Sequence, residues 1–197
     1  FWGGDPDEAA RRRRIDEHFR YTASHRVCPV DAAFQTDRVV CSGAAVESYE
    51  PRFVYHGFRY AVVKGLRQAP KPEDAMACVI HTAFPTIGSF ACSDATFNAL
   101  MEMGDKAYRG NFVDGVPTDC PHREKNGWTG DASIASELAQ YLFENTAAYE
   151  KWLRDLLDAQ LPDGNLPGIV PSSGWGYHWG NGAGWDSALP VIAWNLW

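Results

Sequence analysis

The residues of this chain best suited to chemistry are three carboxylates that lie close together in one short stretch. The stretch reads VPTDCPHREKNGWTGDA, and it places Arg123 and Trp128 beside the carboxylates of Asp119, Glu124 and Asp131. Cleavage of a glycosidic bond needs one carboxyl group that stays protonated near neutral pH and donates to the leaving oxygen. Neighbouring carboxylates and partial burial raise a carboxyl pKa, whereas a nearby cation lowers it. These residue types do not select the acid by themselves, because Asp119 and Asp131 would also suit a turn and a helix N-cap.

A second stretch, GWGYHWGNGAGWD (174–186), combines glycine with large aromatic side chains. Sugar rings present C–H faces that pack on aromatic planes while their hydroxyls bond to polar groups, and ligand pockets pair apolar walls with a few such groups. The aromatic residues in question are Trp175, Tyr177, Trp179 and Trp185. The alternative is that they anchor a long loop to the core.

Other catalytic and metal-binding patterns do not occur in the sequence. It has no GxSxG elbow, Walker loop or Rossmann fingerprint. We interpret His56, His122 and His178 as hydrogen-bonded scaffold residues, because isolated histidines are seldom metal ligands. The five cysteines are widely spaced and odd in number, which argues against a structural zinc site and against a closed disulfide framework. We predict that most cysteines are buried as small apolar residues, and that the protein uses no metal and no cofactor.

The charge balance excludes two classes of partner. The net charge is -7, and the one short basic run, Arg11 to Arg14, lies among acidic residues. Nucleic acids and anionic membranes call for a concentrated basic surface, so we predict neither as a partner. No apolar run is long enough to span a membrane. The sequence opens at Phe1 without a signal-peptide pattern, so cytoplasmic and exported locations both stay open.

The elements that must position these loops change character near residue 92. Before it, short apolar and β-branched runs alternate with turn residues, which is typical of antiparallel strands. The predicted strand segments are 38–43, 52–63, 76–84 and 88–92. Residues 69–74 are predicted to form an exposed loop. The opening residues 5–20 have a helical composition without clear periodicity.

After residue 92 the apolar spacing becomes helical. A helix capped by Ser93 or Asp94 is predicted to carry the stripe Phe97, Leu100, Met101, Gly104 and Tyr108. A second, from Asp131, carries Ile134, Leu138, Tyr141 and Leu142. A third, from Asn145 or Thr146, carries Tyr149, Trp152, Leu153, Leu156 and Leu157, and a fourth begins near Asp186 and Ser187. The long connections 109–130 and 161–185 are rich in aromatic residues, so we predict that they are ordered.

The run DCPHREKNGWTGDA (119–132) resembles the signature of the bacterial and fungal α-L-rhamnosidases, glycoside hydrolase family 78. The blocks at 35–43, 49–66, 81–94 and 164–189 agree with it in the same order. The resemblance covers roughly residues 35–197. Many relatives carry one more residue after the cysteine, as in CPQRDERLGW, so the acid is assigned through the Glu that follows Arg, and Glu124 is the only Glu in this loop.

The resemblance implies the end of a β-sandwich over residues 1–92. The first helices of an (α/α)6 barrel of six hairpins would follow over 93–197, and the barrel would be truncated. It implies hydrolysis of terminal α-L-rhamnose from rhamnose-containing glycosides or polysaccharides, with inversion. On the matching positions Glu124 would be the general acid, and Asp119 and Asp131 would bind rhamnose hydroxyls and tune that acid. Arg123 and Trp128 would shape the pocket, with Trp179, Trp185 and Asp186 as weaker candidates.

An inverting enzyme also needs a second carboxylate to activate water, about 6.5–9.5 Å from the acid. The resemblance places that base beyond Trp197, so we expect this chain alone to be inactive and, with half a barrel, prone to aggregation. Two other functions stay open. One is another (α/α)6 hydrolase, such as a glucosidase or a trehalase-like enzyme, and the other is a non-catalytic carbohydrate-binding module.

Overall fold

A computed structural model describes residues 35–122, 124–172, 177 and 182–197. Two of the predicted site residues, Arg123 and Trp179, lie outside the described residues, as do His178 and the whole of 1–34. The chain separates into two compact units, Phe1–Cys78 and Val79–Trp197. The domain boundary predicted at residues 92 and 93 stays a prediction.

The described part of the first unit is irregular and mostly exposed. Its regular element is a short 3-10 helix, Pro72–Asp74, which lies in the loop predicted over 69–74. Across the described residues 35–92, strand pairing is limited to a single bridge between Thr86 and Phe143. The four segments predicted as strands are therefore not paired. Alternation indicates which side chains share a face, but a strand forms only where a neighbour completes a row of backbone hydrogen bonds. Among the described residues, these segments make only single bonds of this kind, such as Thr82 N to Phe112 O and Gly88 N to Leu142 O.

The second unit contains most of the regular structure in the described chain. Helix α1 spans Ala95–Gly110 and is capped by Asp94, whose carboxylate accepts the backbone N–H of Thr96 at 2.7 Å. Strands β1 (Phe112–Val113) and β2 (Val116–Pro117) then form an antiparallel hairpin. Its two turn residues, Asp114 and Gly115, both have positive φ, as a tight type I′ turn requires. The first predicted loop therefore contains a hairpin.

Four further helices follow the hairpin. Helix α2 spans Thr129–Leu142, and α3 spans Thr146–Ala159. The short helix α4 (Ala183–Asp186) leads into α5 (Ala188–Leu196). The predicted third and fourth helices are thus confirmed in position, and the second begins two residues earlier than predicted.

The core of this unit is built from aromatic side chains. Phe84 and Phe112 meet edge to face at 4.9 Å, and Phe112 meets Tyr149 in the same way at 5.4 Å. Such offset and edge-on pairs add to the free energy gained by burying the rings. From α3, Trp152 and Leu156 join this core with no exposed surface. The predicted inner face of α3 is confirmed at these positions, whereas Leu157 is exposed.

The predicted inner faces of α1 and α2 are largely wrong. Ile134 and Tyr141 on α2 are 86% and 70% exposed, and Phe97 and Leu100 on α1 are also exposed. The face that α2 buries is lined by small residues, Ala132, Ser136 and Ala139. Small side chains let α5 approach closely, and Asn195 on α5 donates to the Ser136 hydroxyl at 2.8 Å. Contact with α5 therefore decided the buried face, and hydrophobicity alone did not.

Cysteine burial was also predicted incorrectly. Cys41, Cys78 and Cys92 are exposed, and Cys120 is half-buried. These four cysteines are free thiols. Within the described residues, no helix is both long and apolar enough to cross a membrane.

Candidate active site

The three carboxylates of the first stretch sit around a compact loop between β2 and α2. The loop is closed by backbone hydrogen bonds from Asp119 N to Asn126 O at 2.9 Å and from Lys125 N to Cys120 O at 3.1 Å. Asn126 is buried at this closure. Lys125 takes a left-handed conformation with φ of 55°, which turns the chain back after Glu124. The chain between Asp119 and Asn126 therefore forms a tight turn that is closed by its own backbone hydrogen bonds.

The Asp119 carboxylate is held from both sides. Its Oδ1 accepts the backbone N–H of Asn126 at 3.0 Å, and its Oδ2 accepts the thiol of Cys120 at 3.3 Å. Burial raises the pKa of Asp119, and the neighbouring Glu124 carboxyl raises it further, while the donors from Asn126 and Cys120 act in the opposite direction. The Glu124 carboxyl is thus close enough to affect the ionisation of Asp119.

Glu124 is half-buried and lies opposite the indole of Trp128. Its Oε2 accepts the Trp128 Nε1–H at 2.9 Å. Its own backbone N–H donates to the Cys120 sulfur at 3.3 Å. Side chain and main chain of this glutamate are therefore both fixed by the loop.

Asp131 completes the group from the first turn of α2. Although this residue is exposed, the protein atoms around its carboxyl raise its pKa, and the negative charge of Glu124 adds to the rise. Glu124 affects the pKa of both aspartates, so the structure brings Asp119, Glu124 and Asp131 together.

The base of the loop rests on the segment that follows α3. Val170 N donates to Gly127 O at 2.8 Å, Thr129 N donates to Gly168 O at 2.9 Å, and Trp128 forms a bridge with Ile169. A Cβ at Gly127 would overlap the carbonyl oxygen of Val170. This glycine is therefore required for the close approach of the two backbones.

One aromatic residue of the second stretch reaches the same region. The indole of Trp185 lies against Gly130, where an added Cβ would be 2.8 Å from its Nε1. Gly130 immediately precedes Asp131, and Trp185 keeps 40% of its surface exposed. The adjacent Asp186 is used locally, because its Oδ2 accepts the backbone N–H of Gly182 at 3.1 Å. Trp185 is thus brought to Gly130, the residue before Asp131, and the observed contact of Asp186 lies within its own segment.

Sequence reasoning missed three residues of this site. Cys120 was interpreted only as a small apolar residue, although its place beside Asp119 was a signal that its thiol would face the carboxylates. Gly127 and Gly130 gave no signal, because their roles depend on Val170 and Trp185, which are distant in the sequence. No three His, Cys, Asp or Glu side chains in the described ranges are arranged to hold a metal ion.

Two family models match the chain. The bacterial alpha-L-rhamnosidase 6 hairpin glycosidase domain matches residues 85–197, and the bacterial alpha-L-rhamnosidase concanavalin-like domain matches residues 14–81. Their order confirms the predicted fold class, in which a β-sandwich precedes the first helices of a six-hairpin barrel.

Characterised relatives give the same result. An alpha-L-rhamnosidase of Streptomyces avermitilis is 39% identical over 178 residues, which are 89% of this chain and 16% of that protein. An alpha-L-rhamnosidase of Formosa agariphila is 41% identical over 128 residues, which are 65% of this chain and 13% of that protein. The chain thus spans less than a fifth of the length of these relatives.

Solved structures resemble the chain as well. The alpha-L-rhamnosidase from Dictyoglumus thermophilum aligns with a TM-score of 0.70 and 38% identity, over 75% of this chain and 16% of that chain. The Streptomyces avermitilis alpha-L-rhamnosidase complexed with L-rhamnose aligns with a TM-score of 0.54 and 38% identity, over 58% and 11% of the two chains. This chain therefore belongs to the family of bacterial α-L-rhamnosidases with a six-hairpin glycosidase domain.

Proposed function

We propose that the whole protein hydrolyses terminal α-L-rhamnose from rhamnose-containing glycosides or polysaccharides, with inversion, and that this chain supplies the general acid and part of the sugar pocket. The observation that carries the proposal is the meeting of Asp119, Glu124 and Asp131 around one loop, with Trp128 bonded to Glu124. The substrate class is taken from relatives that are α-L-rhamnosidases, one of them complexed with L-rhamnose.

Glu124 is the proposed general acid. An indole N–H can only donate, so the Glu124 Oε2 that faces Trp128 must act as an acceptor. The carbonyl oxygen of a protonated carboxyl is its stronger acceptor, so we assign the transferable proton to Oε1. It passes to the departing glycosidic oxygen as the bond to the anomeric carbon breaks. Trp128 thereby selects which oxygen of the carboxyl delivers the proton.

The two aspartates are proposed to bind the sugar. Ionised carboxylates accept hydrogen bonds from hydroxyls, and both Asp119 and Asp131 lie next to Glu124. The partly exposed ring of Trp185, beside Gly130, would supply an apolar face for the rhamnose ring. Arg123 and Trp179 are proposed to line the same pocket, and Asp186 is the weakest candidate because its observed contact is local.

A water-activating carboxylate is proposed to come from another part of the whole protein. Inversion leaves room for water between the two carboxyl groups, which are then about 6.5–9.5 Å apart. We accordingly expect the 197-residue chain to show no rhamnoside turnover by itself.

The proposal is tested in the whole protein with a panel of p-nitrophenyl glycosides, followed by Glu124→Gln. Cleavage of the α-L-rhamnoside is expected, and Glu124→Gln should lower kcat by about 10²–10⁴-fold, the usual contribution of a general acid. L-Rhamnose binding, measured by calorimetry, should remain close to that of the native protein. Glu137→Gln, on the exposed side of α2, is the matched control and should leave kcat unchanged.

The leaving group sharpens the test. Dinitrophenolate leaves without protonation, whereas an alkoxide requires it, so Glu124→Gln should harm an alkyl rhamnoside far more than a dinitrophenyl rhamnoside. If Asp119→Asn shows this leaving-group dependence and Glu124→Gln does not, Asp119 is the acid. Cleavage of glucosides in place of rhamnosides would indicate another six-hairpin hydrolase, and sugar binding without any turnover would indicate a binding module.

A further inference from the structure

The thiol of Cys120 contacts both Asp119 and Glu124 in the loop between β2 and α2. It donates to Oδ2 of Asp119 at 3.3 Å and accepts the backbone N–H of Glu124 at the same distance. The Cys120 carbonyl oxygen also accepts the backbone N–H of Lys125 at 3.1 Å. A single residue therefore bonds to the side chain of one carboxylate residue and to the main chain of the other.

We propose that Cys120 is a positioning residue for glycosidic cleavage, whose thiol donates to Asp119 in its ionised, hydroxyl-accepting form and fixes the turn that presents Glu124. This inference deepens the proposed function and rests on it. Cys120 acts through its two neighbours, so no contact with the substrate is required.

The first part of the argument concerns Asp119. The Asn126 N–H donates to Oδ1 and the Cys120 thiol donates to Oδ2, so both carboxylate oxygens accept a hydrogen bond. Donors favour the ionised form, and they oppose the effects of burial and of the Glu124 carboxyl, both of which raise the pKa of Asp119. Removal of the thiol leaves Oδ2 without that donor, so Asp119 would be protonated more readily.

The second part concerns the turn that carries Glu124. Lys125 has a positive φ, which a residue with a side chain adopts only when its surroundings hold it there. The bonds from Glu124 N to the Cys120 sulfur and from Lys125 N to the Cys120 oxygen provide that restraint. Loss of the sulfur acceptor would loosen the main chain at Glu124, although its carboxyl would keep the bond from Trp128.

The other described cysteines have different surroundings. Cys92, the one with a comparable bond, donates to the backbone oxygen of Asp94 at the start of α1. Cys78 is exposed and lies in the first unit. Cys78→Ala is therefore a suitable control for the removal of a thiol as such.

The test compares Cys120→Ala, Cys120→Ser and Cys78→Ala in the whole protein. The measurements are kcat and KM for p-nitrophenyl α-L-rhamnoside across pH, with the unfolding midpoint as a control for folding. Cys120→Ala should lower kcat/KM about tenfold, the worth of one or two hydrogen bonds. It should also move the acidic limb of the profile to higher pH, because Asp119 then ionises at higher pH. A serine hydroxyl can donate and accept like the thiol, so Cys120→Ser should recover most of the loss, and Cys78→Ala should match the native protein.

Each result leads to a distinct conclusion. Native kcat/KM and a native acidic limb in Cys120→Ala would overturn the inference while leaving the proposed function intact. Equal losses in Cys120→Ser and Cys120→Ala would also overturn it, because packing of the sulfur would then matter and its hydrogen bonds would not. If the native protein cleaves a glycoside other than the rhamnoside, the substrate assignment fails, and the same comparison on that glycoside still tests Cys120. A native protein that cleaves no glycoside overturns both.

Discussion

Trp128 and Glu124, four positions apart in the sequence, are joined by a hydrogen bond of 2.9 Å from the indole Nε1–H to Oε2. A glutamate side chain has three rotatable bonds, so an acid without such a partner would spend much of its time in unproductive orientations. The bond therefore orients the carboxyl before the substrate arrives, which lowers the entropic part of the barrier.

Trp128→Phe keeps an aromatic ring and removes the N–H donor. Hydrogen bonds to charged or acidic groups are worth about 1.5–3 kcal/mol, so kcat should fall about 10- to 100-fold while KM changes little. Trp194→Phe is the control, since this side chain is largely exposed on α5. Steady-state kinetics on the whole protein decide the matter, and a native kcat for Trp128→Phe would show that the bond has no role in catalysis.

Gly130→Ala should disturb sugar binding without weakening α2. The new methyl would lie 2.8 Å from Trp185 Nε1 and would push the indole out of its observed position against α2. Loss of an aromatic contact of about 0.5–1.5 kcal/mol predicts a KM roughly three- to tenfold higher.

The control for this substitution is a second helical glycine. At Gly104 on α1 a methyl would meet Leu138 at an ordinary 3.6 Å, so Gly104→Ala should stabilise the protein by about 0.5–1 kcal/mol and leave KM unchanged. Calorimetry and kinetics on both variants check the pair. A native KM in Gly130→Ala would place Trp185 outside the sugar pocket.

Gly127→Ala should damage the fold itself. The added methyl would overlap the carbonyl oxygen of Val170, a backbone atom that cannot rotate away. We expect a loss of about 3 kcal/mol or more in the free energy of unfolding, at the upper end of what overpacking costs. Gly184→Ala, where the methyl would meet open space, should unfold at the native temperature. Equal unfolding midpoints for the two variants would contradict the described packing.

The contribution of Asp119 and Asp131 to stability should fall as pH rises through the carboxyl range. Burial raises the pKa of Asp119 and Asp131 in the folded state, so between the ordinary pKa of about 3.9 and the raised value the folded protein binds more protons than the unfolded one. The stabilisation from this uptake is complete below the unfolded pKa and is lost as pH passes the folded one.

Asp131→Asn removes one of these two groups, so its unfolding midpoint should depend less steeply on pH above about 4. Asp158→Asn, on the exposed side of α3, serves as the control and should follow the native slope. Scanning calorimetry from pH 4 to 7 makes the comparison, and an unchanged slope in Asp131→Asn would contradict the prediction.

Sequence patterns predicted α3 well because its large apolar residues recur at helical spacing and most of them pack inward, as Tyr149, Trp152 and Leu156 show, with Leu157 as the exception. They failed for α2, where Ser136 and its small neighbours are buried by α5 while Ile134 is exposed. Hydrophobic periodicity predicts which large apolar residues share a helix face. It does not predict where a neighbouring helix approaches closely enough to require small residues.

The candidate site likewise contains some contacts that the sequence could predict and others that it could not. Asp119, Glu124 and Asp131 could be grouped from sequence because they are neighbours along the chain, and the turn keeps them together. The approach of Trp185 to Gly130 could not, because it depends on how α4 and α5 bring the second stretch back to α2. The hydrogen bond of Cys120 could have been predicted from its position next to Asp119. It was missed because cysteine was interpreted only as a small, buried apolar residue.

Hydrogen bonds hold the chain at two places, between Asp119 and Asn126 and between Gly127 and Val170. The turn lies between Asp119 and Asn126. The turn can accommodate an insertion or deletion of one residue at positions 121–125 without breaking either set of hydrogen bonds. A longer form of this stretch, such as the CPQRDERLGW pattern that the resemblance implies, is therefore compatible with unchanged positions of Asp119 and Trp128. A change in the length of this turn can therefore alter how far Glu124 extends from it, while Asp119 and Trp128 keep their positions.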